Sequence, residues 1–535
     1  MKALNKILAT AMSGLLLVGC NDLDTEPLGS TVTADQKEDV YANDPGMLEA
    51  SVTGITTMSS LFGNALGTDY HNDFGYPALM LAMDTRGYDF VSEYTGYNWF
   101  SAQVGYEDHI TNSVYTYNVW RTLYNQIYSA NAVVSAVDPA TEDPTLQYYL
   151  AQALAYRAFD YHALAQLYQF TYATHKSAPC VPLVLAENSD EVAAAGGAPR
   201  STVEEVYTQI LSDLNAAIAL LEKTSVAPAA GRVGKKFFSV GAAYGLRARV
   251  HLTMQNWAQA AADAQSAITK SGATPYSRTD VAQPSFATAD DNAWLLAVIV
   301  EEGDRVVTTG ICNWPSHMGS LNYGYASVGA WRCISQKLYK SIPETDVRKG
   351  WWLDANGRSV NLNSQQQDYI TNTAGAYPYT QVKFAPYQGV IYQDVNANDI
   401  PLMRVEEMYL ILAEAQAMAG DAATGAATLQ SFVSTYRDPA YTVKAGATKE
   451  EVQNAVYNQR RIELWGEGMS YFDLMRLQKG VDRRGAGFQS AYVYNIAPDD
   501  PILILLLPLG EVEANPNLGD NNPESSTPMP VPDTL

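Results

Sequence analysis

Two segments of the chain repeat one pattern, in which small and apolar residues recur at helical spacing on both sides of a short turn. The first segment, residues 243–268, turns at Asn256, and the second, residues 407–432, turns at Gly420. The positions that carry the pattern are Leu246, Ala248, Leu252, Ala260, Ala261, Ala264 and Ile268, and then Leu410, Ala413, Ala417, Ala423, Ala427, Leu429 and Phe432. Small residues that face each other across a turn let two helices pack closely. The pattern predicts antiparallel helix pairs.

Such pairs are typical of tetratricopeptide (TPR) repeats. Helical periodicity also covers much of the remaining chain. The helical stretches are residues 146–170, 203–221, 236–255, 257–270, 403–419, 422–436 and 449–478. Ser201 and Glu204 fit a capping box at the start of the second stretch. We therefore predict a mainly α fold in which TPR-like helix pairs form a scaffold.

Two other segments have the composition of loops. Residues 60–120 and 273–400 are rich in Gly, Asn, Tyr, Trp, Ser and Asp and contain few long helical stripes. Long irregular segments inside a compact protein commonly carry function. We expect them to form a large ligand-binding region on the helical scaffold. The apolar run 502–507 predicts a buried strand or core segment, and residues 519–535 predict a flexible tail.

Composition limits the class of partner. Hydrophobic residues make up 47% of the chain and charged residues 17%, which is typical of globular proteins. The net charge of −23 would repel a phosphate backbone, so we expect no nucleic-acid partner. Tyrosine is abundant, at 35 residues against 13 Phe and 9 Trp. Tyr and Trp suit surfaces that hold polar, ring-shaped ligands, although most of these tyrosines should pack between helices.

The N-terminus has the pattern of a secretory signal. A short basic start precedes an apolar stretch from Ile7 to Val18, too short to span a membrane. The Leu-Val-Gly-Cys sequence that ends at Cys20 resembles a bacterial lipobox, which implies an acylated cysteine and a lipid-anchored protein. The acidic stretch from Asp22 to Glu26 resembles the export signal of Bacteroidetes surface lipoproteins. An ordinary signal peptide with a chance cysteine is the alternative.

Catalytic and metal-binding patterns are scarce. The sequence has no His-Glu-x-x-His pair, no Gly-x-Ser-x-Gly elbow and no zinc-type spacing, so we expect no cofactor and no metal. The composition does not exclude a pair of catalytic carboxylates of the glycosidase type. The adjacent Glu406 and Glu407 lie on one predicted helix and would not face each other, so they do not form such a pair. Cys180 is expected to be unpaired, and Cys312 and Cys333 could form one disulfide.

Several segments, in order, resemble the SusD/RagB family of surface nutrient-binding lipoproteins. They are residues 153–170, 180–184, 202–207, 399–404, 407–415, 460–464, 466–468, 471–476, 507–511 and 515–518. Their order, together with the lipobox, spans most of the mature chain. The end departs from the family, because Asp520-Asn521-Asn522-Pro523 stands where Gln-Asn-Pro-Gly is common.

The resemblance implies a binding protein rather than an enzyme. Members of the family sit as lids over a TonB-dependent (SusC-like) outer-membrane transporter and hold oligosaccharides or, in some members, peptides. The resemblance therefore implies a glycan-binding protein for carbohydrate transport that is lipid-anchored to the outer membrane at the cell surface. A peptide binder and a surface glycoside hydrolase are the alternatives. The expected domains are a signal peptide (1–19), one SusD-like body (20–535, with parts at about 40–272, 273–400 and 401–518) and the tail (519–535).

Two loop clusters supply candidate ligand contacts. Sugar rings have apolar C–H faces and a rim of hydroxyls, so aromatic platforms and hydrogen-bonding side chains bind them. The candidates are Asp84, Arg86, Tyr97, Asn98 and Trp99 in the early loop, and Trp314, His317, Tyr323, Tyr325 and Trp331 in the second insert. Arg86 and Trp99 come first, because family members place an Arg and a Trp at comparable positions. Glycines from Gly310 to Gly329 predict an open loop around the second cluster, and the alternative for each aromatic residue is core packing.

Overall fold

The computed structural model describes residues 45–93 and 95–534. The predicted signal peptide, Cys20 and the acidic stretch after it lie outside the described residues. The chain divides into a unit of residues 1–50, described only from residue 45, and a unit of residues 51–535.

The described α-helices are α1 (Pro45–Met58), α2 (Tyr76–Arg86), α3 (Ser101–Gly105), α4 (Val114–Ala136), α5 (Pro144–Tyr168), α6 (Tyr172–His175), α7 (Ser189–Ala194), α8 (Val203–Lys223), α9 (Val240–Met254), α10 (Trp257–Ser271), α11 (Arg305–Thr308), α12 (Trp314–Met318), α13 (Gln336–Ser341), α14 (Ser364–Asp368), α15 (Val405–Met418), α16 (Ala422–Tyr436), α17 (Lys449–Glu463), α18 (Ser470–Arg476) and α19 (Leu509–Ala514). The described strands are β1 (Phe90–Ser92), β2 (Pro179–Pro182), β3 (Arg200–Thr202), β4 (Trp294–Val298), β5 (Arg332–Ile334), β6 (Ile400–Arg404), β7 (Val481–Asp482) and β8 (Asn495–Ile496).

The long helices pack in chain order. Helix α4 packs on α5, α5 on α8, α8 on α9, and α9 on α10. Helix α10 then packs on α15, which also contacts α16 and α17. The two predicted pairs are α9 with α10 and α15 with α16, so the mainly α fold built from helix pairs is confirmed. None of the helices described is both long enough and apolar enough to cross a membrane.

Two glycines allow the predicted pairs to approach closely. A Cβ built on Gly425 of α16 would lie 2.5 Å from the carbonyl oxygen of Ala413 in α15. A Cβ built on Gly241 of α9 would lie 2.7 Å from the backbone nitrogen of Ser271 in α10. Neither position has room for a side chain, which is why small residues mark these pairs in the sequence.

The N-terminal cap of α8 lies one residue later than the sequence predicted. The Thr202 hydroxyl accepts the Glu205 N–H at 3.2 Å, and the Glu205 carboxylate accepts the Thr202 N–H at 2.7 Å. The assignment to Ser201 and Glu204 was therefore wrong. Both registers read Ser/Thr-x-x-Glu, and the helix begins at Val203, directly after Thr202.

Four two-stranded antiparallel ribbons, among the residues described, tie the loops to the helices. The β4–β6 ribbon joins the two ends of the second loop-rich insert just before α15. The β1–β5 ribbon pairs Phe90 with Ile334 and Ser92 with Arg332. It therefore brings two loop-rich regions together that lie more than 200 residues apart in sequence.

A buried ion network lies beneath the second insert. Its cations are Arg348, Lys383, Arg404 and Arg437, and its anions are Asp346, Glu406, Glu463 and Glu467. Glu463 is at the centre and lies 2.7 Å from Arg437 and 3.2 Å from both Arg348 and Arg404. Burial alone would raise the pKa of Glu463, but the three guanidinium groups hold it well below its usual value. The family-like segments around Arg404 and Glu463 thus build scaffold.

The C-terminal segment makes hydrogen bonds to the rest of the protein. The Asn522 amide donates to the carbonyl oxygens of Tyr168 and Leu505, at 2.7 Å each. Further on, the Val531 N–H donates to the Val493 carbonyl at 2.8 Å. These bonds lie within the segment that the sequence predicts as a flexible tail from residue 519, and its flexibility stays a prediction. The apolar run 502–507 is buried, as predicted.

Candidate functional site

The early loop and the second insert are joined beyond one end of the β1–β5 ribbon. Arg332 is fully buried, and its guanidinium donates to the Asn98 side-chain oxygen at 3.0 Å and to the His317 carbonyl at 2.8 Å. The Asn98 amide also donates to the Glu93 carbonyl at 2.7 Å. These bonds fix the loop that carries Tyr97 and Trp99 against the loop that carries Tyr323 and Tyr325.

Stacked rings support this junction from beneath. His71 stacks on Trp99, with ring centroids 4.7 Å apart. His317 stacks on Tyr325 at 4.6 Å and on Phe74 at 5.3 Å. The Tyr325 hydroxyl is hydrogen-bonded to His71 Nδ1. The rings therefore hold Trp99 and Tyr325 in fixed orientations.

His317 acts as a neutral donor in this stack. Its Nε2 lies 2.9 Å from the His71 carbonyl oxygen, which can only accept a hydrogen bond, so Nε2 carries a proton. Burial, and then the neighbouring Arg332, lower the pKa of His317 to about 3. His317 therefore stays uncharged at neutral pH.

An outer layer of aromatic side chains faces solvent above the stack. Tyr97 is 53% exposed, Tyr323 37% and Tyr392 58%, while Trp99 is half-buried and Tyr325 is 7% exposed. Tyr323 and Tyr392 meet edge to face at 5.7 Å, and Trp99 meets Tyr325 in the same way at 6.5 Å. We name Tyr97, Trp99, Tyr323, Tyr325 and Tyr392 the aromatic platform. The faces of these rings are apolar, and the tyrosine hydroxyls can hydrogen-bond polar groups at the edge of a ring-shaped ligand.

Backbone bonds hold the platform loops together. The Tyr323 N–H donates to the Gln393 carbonyl at 2.9 Å, and the Tyr392 N–H donates to the Leu321 carbonyl at 2.8 Å. The Tyr97 ring lies against Gly329, where a built Cβ would come within 3.4 Å of it. The platform is thus assembled from three loops that are far apart in sequence.

The comparisons with known proteins agree on one family. The model of a family described as "Starch-binding associating with outer membrane" matches residues 82–252, and that of the family described as "SusD family" matches residues 323–523. The chain belongs to the SusD/RagB family. A SusD-like protein P2 of Formosa agariphila is 26% identical over 442 residues, which cover 76% of this chain and 79% of that protein.

Solved SusD-type structures have the same fold. A SusD-like carbohydrate binding protein from Bacteroides vulgatus superposes with a TM-score of 0.72 at 23% identity, over 88% of this chain and 97% of that one. A SusD superfamily protein from Bacteroides thetaiotaomicron gives 0.69 at 20% identity, over 89% and 99%. The TPR-like helix pairs therefore belong to the SusD/RagB fold.

The remaining predicted site residues are buried in this SusD/RagB structure. They are Asp84, Arg86, Asn98, Trp314, His317 and Trp331. Trp314 is in helix α12 rather than an open loop and packs edge-on against Phe384 at 4.9 Å. The open loop predicted around it was wrong, because Asn313 caps a short helix at that point.

Arg86 and Asp84 have partners inside the protein. The Arg86 guanidinium donates to both carboxylate oxygens of Asp108, at 2.7 and 2.8 Å, and to the Ile502 carbonyl at 2.8 Å. Asp84 accepts from the Gly468 N–H and the Ser470 hydroxyl, each at 3.0 Å. Because a ligand could reach neither group without unpacking α2, we do not retain Arg86 or Asp84 as ligand contacts.

Sequence reasoning missed His71 and Tyr392. His71 lies in the early loop-rich segment, but its partner Tyr325 is 254 residues away, so no local pattern marks it. Tyr392 is one of many tyrosines in the second insert, and only its exposure sets it apart.

The carboxylates considered for catalysis are also internal. Glu406 is ion-paired with Arg404 at 3.0 Å, and Glu407 with Arg249 at 2.5 Å; both glutamates are fully buried. The salt-bridged alternative for this helix face is thus the correct one. Cys180, Cys312 and Cys333 are free thiols, so Cys312 and Cys333 form no disulfide in this structure.

Proposed function

We propose that the chain binds a glycan on the aromatic platform and does not cleave it. The observation that carries the proposal is a group of aromatic side chains, with Tyr97, Tyr323 and Tyr392 exposed and Trp99 half-buried, on a buried, hydrogen-bonded support. Rings held in place before binding cost little entropy to order when a ligand arrives, which favours affinity. The apolar faces of the rings can pack on the C–H groups of a sugar, and the tyrosine hydroxyls can hydrogen-bond its hydroxyl groups.

The charge of the chain narrows the ligand class. With a net charge of −23, the protein would repel a polyanionic polysaccharide at low salt. We therefore propose a neutral oligosaccharide or polysaccharide. The family description of starch binding at the outer membrane supports this assignment.

We further propose that the protein is tethered at the outer face of the outer membrane and delivers its ligand to a TonB-dependent transporter. The lipobox-like sequence at Cys20 and the acidic stretch that follows support the tether. Family membership supports the transporter partner. In this arrangement residues 1–19 are removed, and the helix pairs carry the platform above the transporter.

Binding and product analysis on a panel of glycans and peptides tests the proposal. Affinity electrophoresis and calorimetry should detect a neutral glycan, while reducing-end assays of the same mixtures should show no new chain ends. Release of new ends would mean that the protein is a glycoside hydrolase. Binding of peptides alone would assign the platform to peptide capture.

Two tryptophan variants separate the platform from the core. Trp99→Ala should lower glycan affinity by about tenfold or more, since truncating an aromatic residue that anchors a bound partner commonly costs roughly 2 kcal/mol or more. Trp314→Ala should instead destabilise the protein by about 3–5 kcal/mol, because that ring is buried. A large loss of stability in Trp99→Ala without a specific loss of binding would contradict the platform.

A further inference from the structure

A second concave site lies at the opposite end of the β1–β5 ribbon from the aromatic platform. Past the Phe90–Ile334 pair, the chain continues into Tyr88 on one side and Ser335 on the other, and both line a cavity of about 510 Å³. This volume is within the range of small-molecule sites. We name it the α13–α17 pocket, after the helices that form two of its walls. It shares no lining residue with the platform.

The walls of the pocket combine apolar and neutral polar groups. Leu338 of α13 and Ile462 of α17 are buried behind the wall, and the half-buried rings of Tyr88 and Tyr441 give the apolar surface. Ser335, Ser341 and Asn458 add hydroxyl and amide groups around it. A ligand that fits must therefore present both C–H surface and hydrogen-bonding groups.

Each charged side chain in the lining has an opposite charge next to it. The pairs are Arg461 with Asp89 at 2.6 Å, Asp346 with Arg348 at 2.7 Å, and Asp482 with Arg484 at 2.9 Å and with Lys337 at 3.9 Å. No charge in the lining is thus left for an ionic ligand to neutralise, and an ion would have to break one of these pairs. The electrostatics favour a neutral ligand.

One polar group in the lining has no partner among the described residues. The Ser335 side chain is 1% exposed, and its hydroxyl makes no hydrogen bond there. A buried hydroxyl left unpaired costs about 1–3 kcal/mol. Because that hydroxyl has almost no exposed surface, the exposed Ser341 and Asn458 are the polar groups that a ligand meets first.

We infer that the α13–α17 pocket binds a neutral polyhydroxylated ligand of roughly one or two sugar rings, at a site separate from the aromatic platform. The paired charges favour a neutral ligand, the Ser341 hydroxyl and the Asn458 amide can hydrogen-bond its hydroxyl groups, and the half-buried rings of Tyr88 and Tyr441 can cover a C–H face. The pocket and the platform have no lining residue in common, so the pocket can bind its ligand whether or not the platform binds a glycan.

The test uses the full chain carrying Trp99→Ala, so that platform binding is weakened. Methyl glucoside, methyl galactoside and methyl mannoside are the neutral probes, with glucuronic acid and glucosamine as charged comparators, and saturation-transfer NMR reports binding. At least one neutral probe should bind, and added Asn458→Trp should weaken it by about tenfold or more by filling the mouth of the pocket.

The chain offers a matched control on the same helix. Asn454 is also an exposed asparagine of α17, but it does not line the pocket, so Asn454→Trp should leave binding within about twofold. Ser341→Trp blocks the pocket from the α13 side and serves if Asn458→Trp lowers the melting temperature. Absence of neutral binding, equal binding in the blocked and control variants, or preference for a charged probe would each overturn the inference.

Discussion

The buried Arg86–Asp108 pair gives the sharpest test of which early-loop residues are scaffold. Arg86 is 1% exposed, donates two hydrogen bonds to Asp108 and one to Ile502, and lies 4.8 Å from the centre of the Tyr106 ring. Arg86→Met keeps an unbranched side chain in this space but removes the charge. Asp108 would then stay buried, with the Gln103 amide at 3.4 Å as its remaining side-chain donor.

The expected cost follows from that unpaired carboxylate. Breaking a buried ion pair by removing one partner destabilises a protein by about 3–5 kcal/mol. One kcal/mol shifts the melting temperature of a domain of 150–250 residues by about 2–4 °C, and a larger cooperative unit by less. We therefore expect Arg86→Met to lower Tm by roughly 3–10 °C. Arg86→Met with Asp108→Leu should recover part of the loss, because it removes both charges.

Differential scanning calorimetry and calorimetric titration with the bound glycan measure the two effects separately. Arg86→Met should change Tm while Kd stays within about twofold, and Trp99→Ala should show the reverse. If Arg86→Met abolished binding at an unchanged Tm, Arg86 would contact the ligand, and our reading of its burial would be wrong.

Three further substitutions, two of them with a control variant, test the scaffold. Glu463→Gln should lower Tm by several degrees, whereas Glu450→Gln on the exposed side of the same helix should not. Because the pKa of Glu463 is depressed, its contribution to the free energy of unfolding should be present at neutral pH and should fade only in strong acid. Gly425→Ala should destabilise by about 1–3 kcal/mol through its contact with α15, while Gly54→Ala, which has open space around it, should stabilise by about 0.5–1 kcal/mol in chemical denaturation. Burial raises the pKa of Asp84 to about 7, so its unfolded form releases a proton at lower pH than its folded form. Stability should therefore fall as pH rises from about 4 to 7, and a pH series of denaturation curves should show that Asp84→Asn removes this fall.

The helical scaffold could be predicted because its signals are local. The small residues of α9 with α10 and of α15 with α16 recur at fixed spacing on either side of a turn, and the structure places them face to face. The cap of α8 was misplaced by one residue because Ser201 and Thr202 each precede a glutamate at capping distance. Propensity alone could not choose between the two registers, and the hydrogen bonds of the folded chain identify Thr202 as the cap.

The site was only partly predictable because exposure is set by distant contacts. Trp99 and Trp314 both sit in glycine- and tyrosine-rich sequence, yet Trp99 is half-buried beside His71 while Trp314 is enclosed by the second insert. From its sequence Arg86 could equally have bonded a ligand, but in the structure it is buried and paired with Asp108, 22 residues further along the chain. No residue spacing encodes the meeting of His71 with Tyr325.

The most direct test of glycan capture on the platform compares a platform residue, Trp99, with an exposed aromatic residue outside it. Calorimetry with the tightest-binding neutral glycan should give at least about a tenfold weaker Kd for Trp99→Ala. Tyr128→Ala, on the surface of α4 and 68% exposed, should bind as the wild type does. Equal affinity in all three proteins would place the ligand elsewhere and contradict the proposed role of the aromatic platform.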